Sequence, residues 1–225
     1  MIIRTFDIFL SALALLLLLP LLIPIILLLS FTGEREIFYI QKRVGLNGKI
    51  FGLYKFATML KNSPNIGTGE ITVKNDPRVL PLGLFLRKTK INELPQLLNI
   101  LKGDMSIIGP RPMVPNTFQK YPLRSQNIIN KIRPGLSGVG SIIFRDEEKY
   151  LEGKENPVEF YENEIIPYKS EVEIWFTKNQ SVFLYFKIIF LTIFIVFFPN
   201  RNLPREAFKD LPPIPESMKE FKISK

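Results

Sequence analysis

Residues 76–112 read DPRVLPLGLFLRKTKINELPQLLNILKGDMSIIGPRP, and this stretch is the most informative part of the chain. From Glu93 to Lys102 apolar residues recur at helical spacing, which predicts a helix that ends at Gly103. Because Pro95 is tolerated only in a first turn, we expect the helix to begin near Asn92. Its expected apolar stripe consists of Leu94, Leu97, Leu98 and Leu101.

The start of that helix is the first candidate for a phosphate site. Exposed backbone N–H groups and the positive end of the helix dipole attract phosphate there, and Glu93 stands beside them. In the alternative interpretation Asn92 only caps the helix and Glu93 only interacts favourably with the helix dipole.

Arg111 follows in a Gly-Pro-Arg-Pro turn whose prolines stiffen the backbone, so its guanidinium suits bidentate phosphate capture. The competing interpretation is a structural turn whose arginine pairs with a nearby carboxylate.

Three more arginines are candidates for contact with phosphate. Arg78 and Arg87 add positive charge to the same stretch, although exposed charges are often merely solvated. Arg145 precedes three acids, residues 146–148, which could supply ligands for a cation or form an ordinary surface charge run. Just before it, three glycines allow close backbone approach: Gly135, Gly138 and Gly140.

The absence of two residue types narrows the chemistry. The 225 residues include no histidine, which excludes a Ser-His relay, an imidazole base and an HExxH metal site. They include no cysteine, which excludes disulfides, thiol nucleophiles and zinc-thiolate sites. Catalysis would therefore use Asp, Glu, Lys, Tyr or Ser, with an oxygen-liganded cation such as Mg²⁺. The formal charge of +9 suits anionic lipids, nucleotides or nucleic acid and does not choose among them.

An apolar run over residues 8–31 has the length needed to cross a bilayer core. It is too long for a signal peptide, and no small-residue cleavage site follows it. Pro20 and Pro24 lie in the run, and each removes a helix hydrogen bond, so we expect a kink. A kinked helix can cross the membrane or turn back to the side it entered, and composition leaves both open. Basic residues at positions 35, 42 and 43 follow closely and place the main domain in the cytoplasm.

Local patterns predict a hairpin and a loop after the apolar run. Residues 36–41 and 49–55 have strand character, and Asn47-Gly48 suits the φ > 0 positions of the turn between them. Residues 62–76 are rich in Gly, Asn, Ser and Thr. We expect them to form a mobile loop that could close over a substrate.

The C-terminal third contains a second apolar stretch and a polar tail. Residues 182–198 are expected to form a helix that lies on the membrane interface or packs against the domain. Residues 199–225 are proline-rich and charged, and we expect them to be extended or disordered. The chain is thus expected to have a membrane-embedded helix over residues 1–33 and a catalytic domain over residues 34–198.

Five motifs, taken in order, resemble one family of membrane enzymes. They are Gln41-Lys42-Arg43-Val44-Gly45, Tyr54-Lys55-Phe56, Asp76-Pro77-Arg78, the INELPQLLNILKGDMSIIGPRP block and Arg133-Pro134-Gly135. With these motifs the chain resembles the bacterial sugar transferases, the monotopic polyprenyl-phosphate phosphoglycosyl transferases. The likeness runs from about Arg4 to Val196 and leaves out the proline-rich tail.

The resemblance implies an enzyme of the bacterial inner membrane whose α/β (mixed α+β), mainly helical domain faces the cytoplasm. It implies transfer of a sugar phosphate from a nucleotide diphosphate sugar, usually a UDP-sugar, to undecaprenyl phosphate, with release of UMP. This step, which uses Mg²⁺, initiates a surface polysaccharide or glycan such as lipopolysaccharide, capsule or exopolysaccharide. Arg111 and Arg145 match family positions.

The resemblance also bears on the membrane helix. The family's N-terminal helix breaks at a proline and re-enters the same leaflet, and Pro20 occupies that position here. Re-entry is therefore favoured over spanning. Anionic lipids of the membrane are implied partners, and downstream glycosyltransferases are possible ones.

One position departs from the family pattern. The family has an adjacent Asp-Glu pair, in which the aspartate attacks the β-phosphate to form a covalent intermediate, and here the pair is Asn92-Glu93. An amide is a far poorer nucleophile than a carboxylate. Glu93 is the leading candidate for the nucleophile and the magnesium ligand. A second hypothesis gives the nucleophile's role to Asp104 or Asp146, and a third has the protein bind nucleotide sugar without turnover.

Two further functions compete with catalysis. A catalytically disabled homologue could act as a membrane scaffold that recruits glycosyltransferases through its basic surface. A membrane-tethered nucleic-acid binder would suit the charge, but the sequence has no recognisable binding fold or aromatic stacking motif, so we expect no nucleic-acid partner.

Overall fold

The computed structural model describes residues 2–66, 76–145, 147–151, 153–198, 207–208 and 210–218. Most of these residues are helical, and the fold is of the mixed α/β kind expected from the sequence. The helices are α1 (Ile2–Phe31), α2 (Pro81–Lys88), α3 (Gln96–Lys102), α4 (Pro115–Gln119), α5 (Leu123–Ile129), α6 (Val139–Ile143), α7 (Pro157–Phe160), α8 (Ile166–Lys178) and α9 (Val182–Phe197). The strands are β1 (Phe38–Val44), β2 (Ile50–Phe56), β3 (Ser106–Ile108) and β4 (Gly135–Ser137).

The chain divides into two compact units. The first unit comprises Phe6–Lys42 and Gly52–Gly103. The second unit comprises Met1–Thr5, Arg43–Phe51 and Asp104–Lys225. Each unit is described by itself below.

The core of the first unit is built around the C-terminal half of α1. Leu22, Ile25 and Leu29 are buried there together with Phe56 of β2 and Leu86 of α2. Earlier in the helix, Leu16 and Leu17 are 64% and 69% exposed. The C-terminal half of α1 therefore buries one face, while Ile23, Leu27 and Leu28 on its other side are 50–54% exposed.

By length and composition, α1 is able to cross a membrane. The helical assignment continues through Pro20 and Pro24. Where the helix bends and whether it re-enters the leaflet stay predictions.

The hairpin forms slightly later in the chain than predicted. Strands β1 and β2 make a two-stranded sheet, and a 3₁₀ turn over Leu46–Gly48 joins them. Asn47 and Gly48 have φ values of 55° and 75°, which confirms the predicted positive-φ turn. Most of the predicted mobile loop, residues 67–75, lies outside the described residues.

Helix α3 begins four residues later than expected. A 3₁₀ turn over Ile91–Glu93 comes first, and α3 starts only at Gln96, after Pro95. Gly103 has a φ of 93° and ends the helix, as predicted.

The buried face of α3 also differs from the predicted leucine stripe. Leu98 is 39% exposed, whereas Asn99 is completely buried. The Asn99 side chain explains this orientation, because its Oδ1 accepts from the Tyr54 N–H at 2.9 Å and its Nδ2 donates to the Gly52 carbonyl at 2.7 Å. Pairing with β2 therefore outweighs leucine burial at this position.

The second unit is organised by two short parallel strands. β3 pairs with β4 in the register Ser106↔Gly135 and Ile108↔Ser137. A Cβ on Gly135 or Gly138 would collide with the backbone of Gly109, which confirms the predicted close backbone approach at these two glycines, whereas a Cβ on Gly140 would meet the Glu173 side chain. The same unit contains a buried cluster of Tyr121, Ile129, Ile166 and Ile174.

The described part of the C-terminal tail is packed rather than disordered. Phe208, Leu211 and Met218 are buried, although the backbone around them is irregular apart from a 3₁₀ turn over residues 216–218. The Phe208 ring lies edge-on to Trp175 of α8 at 5.9 Å between centroids, and Lys187 of α9 donates to the Ala207 carbonyl at 2.6 Å. The expectation of disorder is therefore wrong for residues 207–208 and 210–218.

Candidate active site

The predicted site residues fall on both units. Asn92, Glu93, Arg87 and Arg78 belong to the first unit. Arg111, Arg145 and Asp104 belong to the second. Asp146 itself lies outside the described residues.

Asn92 and Glu93 lie on the 3₁₀ turn that precedes α3. Lys90 initiates the turn with a positive φ of 60°, and the Glu93 N–H donates to its carbonyl at 3.0 Å. Asn92 is 7% exposed, and its Oδ1 has no hydrogen-bond partner among the described residues. A buried amide oxygen without a partner is costly, which suggests that it serves a ligand.

The predicted capping role of Asn92 is wrong, because the helix begins at Gln96 and has no side-chain cap. For the same reason, the helix N-terminus that was expected to attract phosphate does not lie at Asn92. The seven-residue α3 starts beyond the Asn92-Glu93 pair, so the pair itself, rather than a helix end, is the candidate site.

Among the arginines of the first unit, Arg87 best fits the predicted role of a phosphate ligand. It is half-buried on α2, and its Nη1 lies 3.5 Å from the Thr58 Oγ1. Burial lowers the pKa of Arg87, while the charges of Asp76 and Glu93 act in the opposite direction. Arg87 and Glu93 therefore share one electrostatic neighbourhood.

Arg78 does not present its guanidinium to solvent. It is 4% exposed and donates to both carboxylate oxygens of Asp76, at 2.8 and 2.5 Å. Its Nη1 also donates to the carbonyls of Ser63 and Ile66, each at 2.8 Å. These contacts make Arg78 a structural arginine that holds the ends of the loop, and they argue against its predicted contact with phosphate.

In the second unit, Arg111 is exposed on the turn that follows β3, whereas its neighbours Pro110 and Pro112 are buried. The turn is held from behind, because the Gly135 N–H donates to the Pro110 carbonyl at 2.8 Å and Arg43 donates to the Pro112 carbonyl at 2.9 Å. The Arg111 N–H also donates to Glu173 Oε1 at 3.4 Å. The predicted stiff presentation of Arg111 is consistent with this backbone scaffold.

Arg145 and Asp104 have less constrained surroundings. Arg145 is exposed, and its Nη1 donates to the Ile195 carbonyl of α9 at 2.9 Å. That contact uses one of its five donors and leaves the predicted phosphate role open. Asp104 is half-buried directly before β3.

Sequence reasoning missed Glu173, the most deeply buried acid of the site region. Glu173 is 1% exposed, and its Oε2 has no hydrogen-bond partner among the described residues. Burial raises its pKa to about 7, against the opposing effects of the Arg111 N–H and of the Lys169 and Arg111 charges. Lys169 and Glu173 are four residues apart, a spacing typical of solvated pairs on a helix surface, so the pattern carried no signal for burial.

Comparisons with known proteins agree with the resemblance seen in the motifs. A model of the family described as Bacterial sugar transferase matches residues 1–199. The Exopolysaccharide production protein ExoY of Sinorhizobium fredii is 36% identical over 161 residues, which cover 65% of this chain and 71% of that protein. The Undecaprenyl-phosphate galactose phosphotransferase of Salmonella typhimurium is 32% identical over 207 residues, 86% of this chain and 40% of that protein.

A third relative is the UDP-glucose:undecaprenyl-phosphate glucose-1-phosphate transferase of Escherichia coli. It is 36% identical over 194 residues, which cover 85% of this chain and 39% of that protein. The chain therefore spans most of the first relative and about two fifths of the other two.

Proposed function

Because the chain belongs to the bacterial sugar transferase family, we propose that it transfers a sugar 1-phosphate from a nucleotide diphosphate sugar to undecaprenyl phosphate. The observation that carries this proposal is the family match over residues 1–199, which includes every candidate site residue. UDP-sugar is the proposed donor, and UMP is the released product. The step would initiate a surface polysaccharide, in keeping with the relative named for exopolysaccharide production.

Glu93 is the proposed nucleophile. One of its carboxylate oxygens attacks the β-phosphorus of the donor, the bond from that phosphorus to the bridging oxygen breaks, and UMP leaves with the electron pair. A phosphate oxygen of undecaprenyl phosphate then attacks the same phosphorus and releases the carboxylate. The half-buried position of Glu93 beside Arg87 supports this role. Asp104 is the described alternative.

Arg111 and Arg145 are the proposed diphosphate ligands. Both are exposed arginines, and guanidinium groups match the geometry of phosphate oxygens. Arg87 would act from the side of Glu93 and stabilise the charge that develops on the transferred phosphate.

A magnesium ion fits the Asn92-Glu93 turn only if the substrate shares in binding it. Among the described residues, no group of three or more acidic side chains could hold a metal alone. Mg²⁺ is often bound through one or two carboxylates together with substrate phosphates. Glu93 and the unpartnered Oδ1 of Asn92 suit that mode. When bound, the ion would neutralise charge on the diphosphate.

The membrane arrangement is also a proposal. We infer that α1 enters the cytoplasmic leaflet, bends near Pro20 and returns, so that the catalytic residues face the cytoplasm. The support is that Pro20 and Pro24 lie inside α1, where each removes a helix hydrogen bond, while Leu22, Ile25 and Leu29 anchor the part after Pro20 in the core of the first unit. Helix α9 would lie on the interface, because Phe183, Phe190 and Phe197 are 69–78% exposed along it.

The test is UMP release from UDP-sugars in the presence of undecaprenyl phosphate and Mg²⁺. We expect turnover by the native protein and a loss of about 10⁴-fold or more in Glu93→Gln, as is typical when a nucleophile is removed. Glu155→Gln, which changes an exposed glutamate, is the matched control and should keep full activity. Full activity in excess EDTA would remove magnesium from the proposal.

A disabled site is the second candidate, and the observation that favours it is Asn92 itself. Turnover that appears only in Asn92→Asp would establish it, and the native protein would then act as a binder of nucleotide sugar or as a scaffold. Turnover by the native protein that survives Glu93→Gln would instead move the nucleophile to another carboxylate.

A further inference from the structure

Helix α8 of the second unit carries two buried charged side chains, Lys169 and Glu173. They are 7% and 1% exposed. Residues four apart are neighbours on one face of a helix, so the two side chains lie next to each other. The proposed transfer gives neither of them a role, although each contacts a segment that carries one of the two proposed diphosphate ligands.

Glu173 contacts the turn that carries Arg111. Its Oε1 accepts from the Arg111 N–H at 3.4 Å. The same oxygen lies against Gly140 of α6, where a Cβ would collide with it. Arg145 follows Gly140 by only five residues. Glu173 therefore contacts both the Arg111 turn and the helix that leads to Arg145.

Lys169 holds the residues on either side of Arg145. Its Nζ donates to the Glu147 carboxylate at 2.5 Å. The same ammonium group lies 5.3 Å from the centre of the Phe144 ring, a distance at which a cation and an aromatic face attract each other. Phe144 and Glu147 are respectively one residue before and two residues after Arg145. These three residues form the Arg145 segment, which Lys169 thus contacts at both ends.

The ionisation of Tyr161 indicates that these contacts belong to one cluster. Burial raises the pKa of Tyr161. The charges of Lys169 and Arg111 oppose this rise, and that of Glu147 adds to it. Tyr161 begins a π-helical turn, Tyr161–Ile165, that leads directly into α8. Such turns occur frequently at functional sites.

Stability alone does not explain these buried charges. The Glu173 Oε2 has no hydrogen-bond partner among the described residues, and a buried polar atom without a partner is costly. Apolar residues of similar volume often give at least as much stability as a buried ion pair. Lys169 and Glu173 instead provide a defined position for each segment that they contact, because charge-assisted hydrogen bonds add geometric specificity.

We propose that Glu173 and Lys169 are positioning residues that hold the Arg111 turn and the Arg145 segment at the separation at which both guanidinium groups bind one diphosphate. This inference rests on the proposed function, in which the two arginines are the diphosphate ligands. Supporting residues of this kind lower the cost of ordering the groups that touch the ligand. Two arginines held at a fixed separation favour two linked phosphates over one.

The first test measures binding of UDP and UMP to the full-length protein in detergent with Mg²⁺ by calorimetry, without turnover. The native protein should bind UDP about tenfold or more tightly than UMP, because one more charge-assisted phosphate contact is made. Lys169→Met should weaken UDP binding by about tenfold and UMP binding by less than about twofold, since only the second phosphate loses its partner.

Glu147→Gln removes the same ion pair from its more exposed side. It should weaken UDP binding as much as Lys169→Met does, and it tests the pair even if the buried lysine variant does not fold. The double variant should lose no more UDP affinity than either single variant, because both changes remove one interaction. Glu171→Gln, which changes a more exposed glutamate on α8, is the matched control and should leave both affinities unchanged.

A pair of substitutions tests the contact of Glu173 with the Arg111 turn. Glu173→Gln keeps an oxygen that accepts from the Arg111 N–H and should retain UDP affinity to within about twofold. Glu173→Leu has a similar volume but no acceptor, and it should weaken UDP binding by about tenfold. Equal UDP affinity in these two variants overturns the role of Glu173.

Two other results would overturn the whole proposal. One is equal affinity of the native protein for UDP and UMP. The other is a parallel loss of UDP and UMP affinity in Lys169→Met and Glu147→Gln, which is what a general loss of structure produces.

The turnover assay separates this inference from the proposed function. If UMP is released and Glu147→Gln leaves the KM for the UDP-sugar unchanged, the positioning role is wrong and the transferase function stands. If KM rises while kcat is retained, both stand. If the variants lose the preference for UDP over UMP but the native protein turns over no UDP-sugar, the positioning role stands and the proposed transfer fails.

Discussion

The pKa of the buried Glu173 carboxyl depends on the groups that enclose it. Its carboxyl is completely enclosed between the Arg111 backbone, Lys169 and Gly140, whose missing Cβ leaves room for Oε1. Lys169 in turn donates to Glu147 at 2.5 Å. The carboxyl thus has one weak hydrogen bond, from Arg111, and two nearby cations to offset its burial.

This environment predicts a pH dependence of stability. The pKa of Glu173 is raised from 4.5 to about 7 in the folded protein, so its contribution to stability is fully present below pH 4.5 and is lost as the pH rises through about 7. A shift of this size corresponds to about 3 kcal/mol. We expect the melting temperature of the detergent-solubilised protein to fall between pH 5 and 8, and the fall to be much smaller in Glu173→Gln.

The control for this measurement is Glu171→Gln, which changes a more exposed glutamate on the same helix. It should show the same pH profile as the native protein. Identical profiles for the native protein and Glu173→Gln would mean that Glu173 does not titrate in this range.

Among the elements, the C-terminal tail (residues 207–208 and 210–218) is the clearest case of a segment whose structure depends on packing against other elements. Phe208 is 3% exposed against Trp175, and the Lys187 ammonium lies 5.4 Å from the centre of the Phe208 ring. Lys187 interrupts an otherwise apolar helix, and its contacts with residues 207 and 208 explain its presence there.

We expect Phe208→Ala to destabilise the protein by about 3–5 kcal/mol, the usual cost of removing a buried phenyl ring. Trp175 is the one tryptophan of the chain, so its fluorescence reports directly on this contact. Its emission should shift to longer wavelength as water replaces the ring. Phe183→Ala, which changes an exposed phenylalanine, is the control, and an equal shift there would contradict the docked arrangement.

The pairing of the parallel strands β3 and β4 depends on glycine. A side chain at Gly135 would collide with the backbone of Gly109, and one at Gly138 would collide with the Gly109 carbonyl. The turn that carries Arg111 therefore rests directly on the backbone of the second strand.

We expect Gly135→Ala to lower stability by about 3 kcal/mol or more, since backbone atoms cannot move aside as a flexible side chain can. Gly153→Ala is the comparison, because its surroundings are open and it carries only the strain of a positive φ, about 1 kcal/mol. Thermal melting of the two variants measures the difference. Equal losses would show that the close approach is not what requires glycine.

The whole molecule combines a basic polar surface with two apolar helices. Helix α1 exposes leucines in both of its halves and α9 exposes phenylalanines along its length, while the chain carries a formal charge of +9. Exposed apolar surface of this extent is typical of a protein that contacts lipid. The positive charge suits the anionic lipids of the cytoplasmic leaflet.

The proposed re-entrant topology predicts that the start of α1 is accessible from the same side of the membrane as the catalytic domain. The chain has no cysteine, so single cysteines at the exposed Thr5 and Lys131 give unambiguous labels. We expect a membrane-impermeant maleimide to label both positions in inverted vesicles and neither in intact spheroplasts. Labelling of position 5 from the periplasm alone would establish a spanning helix.

Much of the site could be read from the chain because its parts are close in sequence. The Asn92-Glu93 pair, the Gly-Pro-Arg-Pro turn and the glycines before Arg145 are local patterns whose backbone consequences follow from residue type. The burial of Arg78 and Glu173 could not be read in this way. Whether a charged side chain is solvated or enclosed depends on elements that reach it from elsewhere in the chain.

By itself, the sequence determined the family, the apolar N-terminal helix, the positive-φ turn of the hairpin and the end of α3 at Gly103. Each depends on interactions within a few residues or on motifs in a set order. Only the tertiary structure decided that α3 begins at Gln96, that Asn99 rather than Leu98 faces inward, and that the tail docks on α8 and α9. Those outcomes depend on hydrogen bonds and packing between distant segments. These interactions contribute more free energy than the local secondary-structure preferences of the residues.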